Sequence, residues 1–335
     1  MRKSCLLSLV LAIFAGVRVA SADPLSELSG FSIFDKIDLT QLAKSDAKTA
    51  HGPPMSNSRL LSVQSIYVLP GAPAPHLEAM RNWNPSEHHE PKVFLHGDIS
   101  GAISESTFAR IKSAPDNGPV RTLVNATAKM GNELQLSREE AARWKGGNAA
   151  LSAAGGDFWM GVLAGRGRAF VSGGTSAEAP YDHAGPAVRA GEELNGLLRE
   201  QSKIRKQFAG VLDNTGIGRG AGSLKPDLYW ELLNADNVAV ATLGAFYSRN
   251  AEGAVQAADT FYYSSGGYYV TLTLHQMWSV EIDGKPHTLI WRGDMVSSAA
   301  LADLHGVEKL GSESAMMKDI SKAVTLFRRD TSGSR

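Results

Sequence analysis

Histidine and acidic residues of the types that bind metals or transfer protons cluster in one stretch of this sequence. His88, His89 and Glu90 are followed closely by His96 and Asp98. A zinc site needs ligands that converge in a tetrahedron, yet His88 and His89 are adjacent and match no H-E-x-x-H spacing. We therefore interpret this stretch as a solvated loop and predict no metal and no cofactor, with a metal site as the alternative.

Glycines at alternate positions form a second motif with potential chemistry. Gly216, Gly218, Gly220 and Gly222 surround Arg219, a pattern that invites comparison with phosphate-binding loops. No G-x-x-x-x-G-K-[ST] match is present, and the segment follows a predicted helix and precedes a predicted strand, the reverse of a dinucleotide fingerprint. The motif is better interpreted as a flexible connector.

Aromatic residues are concentrated in the C-terminal half, and aromatic walls with a few polar groups are typical of pockets for apolar ligands. The same residues are good strand formers, so core packing is the alternative. Gln276 interrupts the apolar face of its strand, and Arg292 shares a face with Asp294. Buried polar groups of this kind need a partner, for which a ligand is one candidate. The predicted ligand-binding residues are Tyr262, Tyr268, Gln276, Trp278, Trp291 and Arg292.

The N-terminus has the three parts of a secretory signal peptide. Met1–Lys3 is positively charged, Leu6–Gly16 is apolar, and Ala20–Ala22 forms an A-x-A cleavage pattern. A membrane anchor would need a longer apolar run, which Arg18 interrupts. We expect residues 1–22 to be removed and the protein to be exported, to a periplasm or to the extracellular space.

Composition excludes several classes of function for the mature chain. Cys5, the only cysteine, lies in the predicted signal peptide, so no disulfide or thiolate site is expected. Removing Arg2, Lys3 and Arg18 from the 34 basic residues leaves 31 against 34 acidic ones, which gives no electrostatic case for nucleic acid. No later stretch is long and apolar enough for a membrane-spanning helix. The predicted partner is a lipid or other apolar small molecule.

Residues 23–60 are predicted to form an N-terminal extension in which Asp38 caps a short helix over Leu39–Lys44. A single α+β domain over residues 61–335 follows, beginning with β-forming runs separated by a proline-rich turn and short helices. Its first predicted strands are Leu61–Leu69, Lys92–Ile99 and Pro119–Lys129, with short helices through Ala79 and Trp83 and over Thr107–Lys112.

Ser137 and Glu140 form a capping-box pattern, and from there the sequence is helical in character. We interpret residues 137–208 as a helical insert. From Asp227 onward, long runs with period two are separated by short turns, and short connections imply antiparallel neighbours. The predicted meander over residues 227–298 comprises five strands, Asp227–Asn234, Asn237–Tyr247, Val255–Ser264, Tyr268–Ile282 and His287–Ser298.

A final helix is predicted over residues 314–329, because apolar side chains recur there at helical spacing. Such a helix needs an apolar surface to cover. We expect this surface to be the apolar face of the longest strand, since alternation gives that strand one apolar and one wetter face. The apolar face carries Tyr268, Val270, Leu272, Leu274, Trp278 and Val280, and the wetter face carries Tyr269, Thr271, Thr273, His275, Ser279 and Glu281.

This order of elements resembles the helix-grip fold of the START-like (SRPBCC) superfamily: a strand, small helices, a curved antiparallel sheet and one long C-terminal helix across it. The resemblance covers residues 61–130 and 225–330, is carried by element order rather than by a motif, and departs at the helical insert. It implies a cavity between the sheet and the long helix, which in that superfamily commonly holds a lipid or another apolar ligand.

The sequence therefore predicts an exported protein that binds a lipid or other apolar small molecule in that cavity without transforming it. One alternative is a hydrolytic enzyme that uses the stretch from His88 to Asp98 or polar groups at the sheet. Convergence of its histidines with acids in a cleft would favour this alternative. Another is a non-catalytic structural or interaction module that docks through the helical insert. An exposed apolar patch on residues 137–208 would favour the module.

Overall fold

The computed structural model of the chain describes residues 23–251, 253–304 and 307–333. The predicted signal peptide, with Cys5, lies outside the described residues. The described part is an α+β structure with one curved, open antiparallel sheet and a long C-terminal helix. The α+β class, the antiparallel sheet and the C-terminal helix are thereby confirmed.

Within the described residues, the sheet has eight strands in the spatial order β1-β2-β8-β7-β6-β5-β4-β3. The strands are β1 (Lys48–His51), β2 (Leu60–Pro70), β3 (Val93–Ile99), β4 (Asp227–Ala235), β5 (Val238–Ala251), β6 (Ala254–Ser264), β7 (Val270–Ile282) and β8 (Lys285–Ser297). Consecutive strands from β4 to β8 are antiparallel neighbours, which confirms the predicted five-stranded meander. Because β2 pairs with β8 and β3 pairs with β4, the edge strands are β1 and β3.

Helices flank the sheet along the whole chain. The α-helices are α1 (Pro24–Phe31), α2 (Leu39–Lys44), α3 (Pro73–Arg81), α4 (Gly118–Lys129), α5 (Arg138–Ala141), α6 (Ala154–Gly173), α7 (Ala190–Glu200), α8 (Ser202–Gln207), α9 (Ala209–Leu212), α10 (Ala299–Ala302) and α11 (Val307–Gly333). Short 3₁₀ helices occur at Pro85–Glu87, Glu105–Ser113 and Gly174–Ala177. Residues 138–212, from α5 to α9, are called the helical segment below.

Each strand divides its side chains between the two faces of the sheet, and helices cover both faces. The back face, which carries Leu274, Trp278 and Trp291, packs against α1, α4 and the helical segment. The front face, which carries Tyr67 and Met277, packs against α3 and α11. The molecule therefore has two apolar cores, one on each side of the sheet.

The C-terminal helix lies on the opposite face from the one expected. It packs through Ile320, Val324 and Phe327 on the front face, where it contacts β1 and β2. The apolar face of β7 is the back face, and it packs against the helical segment. That segment brings the larger apolar surface, including Phe170 and Phe208, so burying the more apolar sheet face there removes more apolar area from water. The wetter face of β7 is left beneath α3 and α11.

The predicted strand Pro119–Lys129 is helix α4 instead. Asn117 caps this helix, since its side chain accepts a hydrogen bond from the Val120 backbone N–H at 3.0 Å. Pro119 lies in the first turn, where its missing N–H costs nothing. Val120 and Leu123 are buried three positions apart, which is helical spacing. The cap therefore outweighs the β propensity of the valines and threonines in this run.

Several other local predictions agree with the structure, whereas the helix predicted through Ala79 and Trp83 ends at Arg81. Strands β2 and β3 and helix α2 lie where the sequence places them, and Asp38 caps α2. The capping box at the start of α5 is formed, because the side chains of Ser137 and Glu140 each accept a hydrogen bond from the other residue's backbone N–H. Helix α11 is longer than predicted and begins at Val307.

A buried ion cluster holds parts of the helical segment together against the sheet. Arg166 in α6 is 2% exposed and donates to both carboxylate oxygens of Glu140, at 2.7 Å each. It also lies 3.4 Å from Glu178, and its guanidinium packs on the rings of Tyr181 and Tyr263. The guanidinium of Arg166 thus contacts two carboxyl groups. Burial raises the pKa of Glu178 to about 8, against the opposing charge of Arg166.

Replacing Arg166 with methionine should leave the buried Glu140 carboxylate without its counterion and the buried Glu178 carboxyl group without its charged donor. We expect the free energy of unfolding, measured by urea denaturation, to fall by about 3–5 kcal/mol. The matched control is Arg168→Met on the exposed side of the same helix, for which we expect a change within about 0.5 kcal/mol. Adding Glu140→Gln and Glu178→Gln to the Arg166→Met variant should recover much of the loss. Equal losses for the two arginine variants would contradict a stabilising role for the cluster.

The raised pKa of Glu178 predicts a pH dependence of stability. Because its pKa is about 8 in the folded chain and 4.5 in the absence of structure, the folded state retains a proton that the unfolded state loses. The associated stability is complete below pH 4.5 and decreases as the pH rises toward 8, by at most about 1.4 kcal/mol per pH unit. In urea titrations at several pH values, Glu178→Gln should show a flatter pH profile than the wild type. Parallel profiles would show that Glu178 does not retain the proton.

Candidate functional site

Three of the predicted ligand-binding residues lie in the core of the back face. Tyr262, Trp278 and Trp291 are fully buried there. The ring of Tyr262 stacks on Phe170 at 3.8 Å between centroids, and the ring of Trp291 packs edge to face with Phe31 at 4.9 Å. These contacts connect the sheet to the helical segment and to α1, so residues of the chain occupy the space beside all three rings.

Gln276, the polar interruption of the apolar face, has its partners in the same core. Its amide donates to Glu27 Oε1 at 2.8 Å, and Trp278 Nε1 donates to Glu27 Oε2 at 2.8 Å. Gln276 Oε1 accepts from the side chains of Gln207 and Gln256 at 3.1 and 3.0 Å, and Gln207 also donates to Glu27. The partner that this buried amide needs is therefore supplied by α1, the first helix of the described chain.

The other two predicted residues lie elsewhere. Tyr268 stacks on Phe261 at 6.1 Å, just before β7 begins. Arg292 lies on the front face and lines a cavity beneath α11. The six predicted residues thus do not surround one common space, and a ligand-binding role for them stays a prediction. The position of Arg292 indicates that the front face is where a candidate ligand site lies.

Two adjoining cavities lie on the front face and are together called the chamber. The inner cavity, of about 190 Å³, lies beneath Ala323, Val324 and Phe327 of α11. The outer cavity, of about 260 Å³, lies near the end of the sheet formed by β3 and β4. The residues that line both are Met80, Trp83, Phe246 and Asp259.

The floor of the inner cavity is polar. Arg292 forms a bidentate ion pair with Asp294, with Nε at 2.8 Å from Oδ2 and Nη2 at 2.7 Å from Oδ1. Asp294 Oδ1 also accepts from the hydroxyl of Thr273 on the neighbouring strand, at 3.0 Å. The side chain of Arg292 retains 22% exposure although it lies deep in the sheet. Because it lines the cavity, we assign part of this accessible surface to the cavity.

His275 lies next to this ion pair and is nine-tenths buried, with 7% exposure. Its Nδ1 has no hydrogen-bond partner within the described residues. Burial, with a smaller effect of the nearby Arg292 charge, lowers the pKa of His275 to about 3. The imidazole is therefore neutral at physiological pH, and one of its nitrogens is a hydrogen-bond acceptor.

The outer cavity brings His96 together with two acids. His96 Nδ1 lies 2.9 Å from Glu231 Oε1 across the β3–β4 pair, and its Nε2 lies 3.5 Å from Asp98 Oδ1. Burial lowers the pKa of His96, but the hydrogen bond and charge of Glu231, together with Asp98, outweigh it and raise the pKa above its usual value. Burial raises the pKa of Glu231, opposed by His96. His96 and Glu231 therefore form a hydrogen-bonded pair in a largely buried site.

Tyr229 and Asp259 form the second polar pair of the outer cavity. The Tyr229 hydroxyl donates to Asp259 Oδ1 at 2.7 Å, and its ring stacks on His96 at 5.6 Å. Gly244 makes this possible, because the Tyr229 ring lies across its backbone and a side chain at position 244 would collide with the ring. Burial raises the pKa of Asp259 to about 6.

Trp83 and Phe327 form a roof over the inner cavity, with their rings edge to face at 6.4 Å. Asp330 of α11 holds this roof in place. Its Oδ2 accepts a hydrogen bond from Trp83 Nε1 at 3.0 Å and lies 3.0 Å from His88 Nε2. His88 also stacks on Trp83 at 5.3 Å. The stretch from His88 to Asp98 is therefore divided between the roof and the outer cavity, and His89 is exposed.

The glycine motif lies in the loop between α9 and β4. Its Arg219 is paired with Asp213 at 2.9 Å, and its backbone carbonyls at Gly216 and Arg219 accept hydrogen bonds from Thr175. The motif thus connects the helical segment to the sheet.

Sequence reasoning missed most of the chamber. Its walls come from α3, α11 and the wetter face of the sheet, and Asp259 and Tyr229 drew no functional prediction. The alternation of β7 and the shared face of Arg292 and Asp294 did indicate a polar sheet face. These patterns did not reveal which helix would cover that polar face.

The contacts of Glu27 predict a structural role for the Gln276 amide and the Trp278 indole. Replacing Glu27 with alanine removes a charged acceptor shared by three donors, so we expect the free energy of unfolding to fall by about 1–3 kcal/mol. In NMR hydrogen exchange, the indole N–H of Trp278 should lose protection. The control is Ser29→Ala, on the exposed side of the same helix. If both variants match the wild type, the N-terminal helix is not held by this carboxylate.

Within the described residues, no helix has the length and apolar composition needed to cross a bilayer, and no three histidine or acidic side chains are placed to share a metal ion. Comparisons with known protein families, with curated proteins and with solved structures gave no match.

Proposed function

We propose that the protein binds a small, partly apolar molecule in the chamber between the sheet and the C-terminal helix, and holds it without chemical change. The observation that carries this proposal is the polar floor beneath an aromatic roof. A packed core would place apolar groups there, because buried polar groups cost free energy unless they are hydrogen-bonded. Arg292 retains 22% exposure and lines the inner cavity, so it is a floor group that a bound molecule can reach.

The volume of the chamber narrows the class of ligand. Pockets for drug-sized ligands are about 300–1,000 Å³, and the two cavities, of about 190 and 260 Å³, together reach only the lower part of that range. This favours a single-ring or short-chain molecule over a lipid with two acyl chains. Its apolar part would contact Met80 and Phe246, and a polar group would reach His275 or Arg292.

The order of elements supports the proposal by resemblance. Strand β2, helix α3, the meander and helix α11 follow in the order expected of a helix-grip fold, and α11 lies over the face that contains the chamber. On this view the helical segment is an insert between β3 and β4 that covers the back face. The proposal also places the protein in a periplasm or outside the cell, on the strength of the predicted signal peptide.

A second candidate is an enzyme, favoured by the geometry of His96. Its Nδ1 is held by Glu231, the arrangement in which a carboxylate orients a histidine for proton transfer. Among the described residues that line the outer cavity there is no serine, threonine or cysteine to act as nucleophile. This candidate would therefore activate water or move a proton directly.

The interaction module has less support. Within residues 137–208, Val171 is the exposed large apolar side chain of the described part, and the other apolar side chains of the helical segment pack against the sheet. A docking surface of that kind needs a contiguous apolar patch.

Filling the inner cavity tests the binding proposal. Ala323→Phe introduces a ring from α11 into the inner cavity, so uptake of small molecules should fall at least about tenfold as the space is occupied. The measurement is native mass spectrometry of the purified full chain, both as isolated and after incubation with a panel of small aromatic and short-chain compounds. We expect one bound molecule per wild-type chain.

The matched control is Ala315→Phe, on the exposed side of the same helix, which should bind like the wild type. Circular dichroism and thermal unfolding verify that both variants fold. The binding proposal fails if repeated wild-type preparations take up no compound, or if Ala323→Phe and the wild type bind equally.

A further inference from the structure

Aromatic rings form much of the wall of the outer cavity. Trp83, Tyr229, Phe246 and Phe261 all line it, and the rings of Tyr229 and Phe261 meet edge to face at 5.8 Å. An aromatic face attracts a cation through its quadrupole, and the attraction grows when the cation is desolvated. A space walled by several rings is therefore suited to a cationic group.

Carboxylates outnumber bases around the same cavity. Four acids line it, against two bases: Asp98, Asp227, Glu231 and Asp259, against Arg81 and His96. Both bases are already paired, Arg81 with Asp227 at 2.8 Å and His96 with Glu231 at 2.9 Å. When all four acids are ionised, the cavity has a surplus of at least two negative charges.

The adjoining inner cavity does not reverse this charge. Its one cation, Arg292, is bound through Nε and Nη2 to Asp294, which leaves the pair neutral as a whole. An anionic ligand would therefore meet one paired guanidinium and a surplus of carboxylates. Electrostatic complementarity therefore favours a cation over an anion in the outer cavity.

We infer that the ligand carries a protonated amine, which lies in the outer cavity between the aromatic rings and the carboxylates; this inference rests on the proposed function. Asp259 is the main acceptor, because it lies on the boundary of the two cavities and is bound by the hydroxyl of Tyr229, a neutral donor, rather than by a basic side chain.

Two observations favour an amine over a metal ion. The rings that wall the cavity offer no ligand atoms to a metal, and no three acidic or histidine side chains of the described part are grouped as metal ligands. In the adjoining inner cavity, burial keeps the imidazole of His275 neutral, so His275 adds no positive charge that would repel an ammonium group. Ammonium groups are donors and aromatic faces attract them.

A matched set of probes tests the charge of the ligand. At pH 7, 2-phenylethylamine is a cation, 2-phenylethanol is neutral and 3-phenylpropanoate is an anion, while their ring and chain are similar. Calorimetric titration of the full chain should show that the amine binds about tenfold more tightly than the alcohol, because cation–π attraction and carboxylate contacts add to ring burial. The carboxylate should bind more weakly than the alcohol.

Two substitutions locate the ammonium group. Asp259→Asn keeps an acceptor for Tyr229 but removes the charge, and should weaken binding of the amine about tenfold while changing binding of the alcohol less than about twofold. The matched control is Asp283→Asn in the exposed turn between β7 and β8, which should change neither. Thermal unfolding verifies that both variants fold.

The outcomes separate this inference from the proposed function. Equal binding of the alcohol and the amine, abolished in both by Ala323→Phe, would overturn the amine inference and leave the binding proposal standing. An unchanged amine affinity in Asp259→Asn would overturn it as well. If none of the three probes binds, the amine inference fails, and the mass spectrometry of the isolated protein decides the proposed function on its own.

Discussion

The burial of apolar side chains on the back face is the constraint on which the rest of the structure depends. Because side chains alternate between the faces of each strand, committing one set to an apolar core places the alternate set on the other face. Here the back face takes Trp278 and Trp291, while Glu27 and Arg166 satisfy the polar groups buried with them. The helical segment thus supplies most of the apolar burial. The front face therefore need not be apolar throughout, and charged residues such as Arg292 and its neighbours can lie on it.

Strand register brings the polar groups of the front face into line. Phe246, Asp259, Thr273 and Asp294 are cross-strand partners on β5, β6, β7 and β8, so they form one row across four strands. Residues opposite one another in a sheet are neighbours in space, and this row therefore spans both cavities. A slip of one residue in the pairing of β6, β7 or β8 would turn that strand's polar side chain in this row toward the back-face core. The register that buries the back face also fixes the geometry of the chamber.

Much of the fold could be predicted from the sequence, because period-two runs and short turns are local signals. The meander and β2 were found this way, whereas α4 was not, because its valines and threonines favour strands and the cap at Asn117 decides. Strand β1 lies in the extension predicted as helix and loop, where its short run carries no clear alternation. The candidate site depends on which helix covers which face. That choice is a competition between apolar surfaces, so the wall side chains Trp83 and Phe327 could not be assigned from spacing alone.

Access to the chamber follows from how its boundaries are held. A groove of about 920 Å³ between α3 and the end of α11 shares Trp83 and Phe327 with the inner cavity, so these two rings lie between the inner cavity and that groove. Residues 82–92, between α3 and β3, carry Trp83 and His88 and are called the roof loop. This loop is held by contacts of Trp83 and His88 with Asp330 and by ring contacts, whereas the sheet and the helical segment share a large apolar core. Displacing the roof loop would widen the route to the inner cavity and leave the ion pair of the floor in place, because Arg292 and Asp294 both lie on β8.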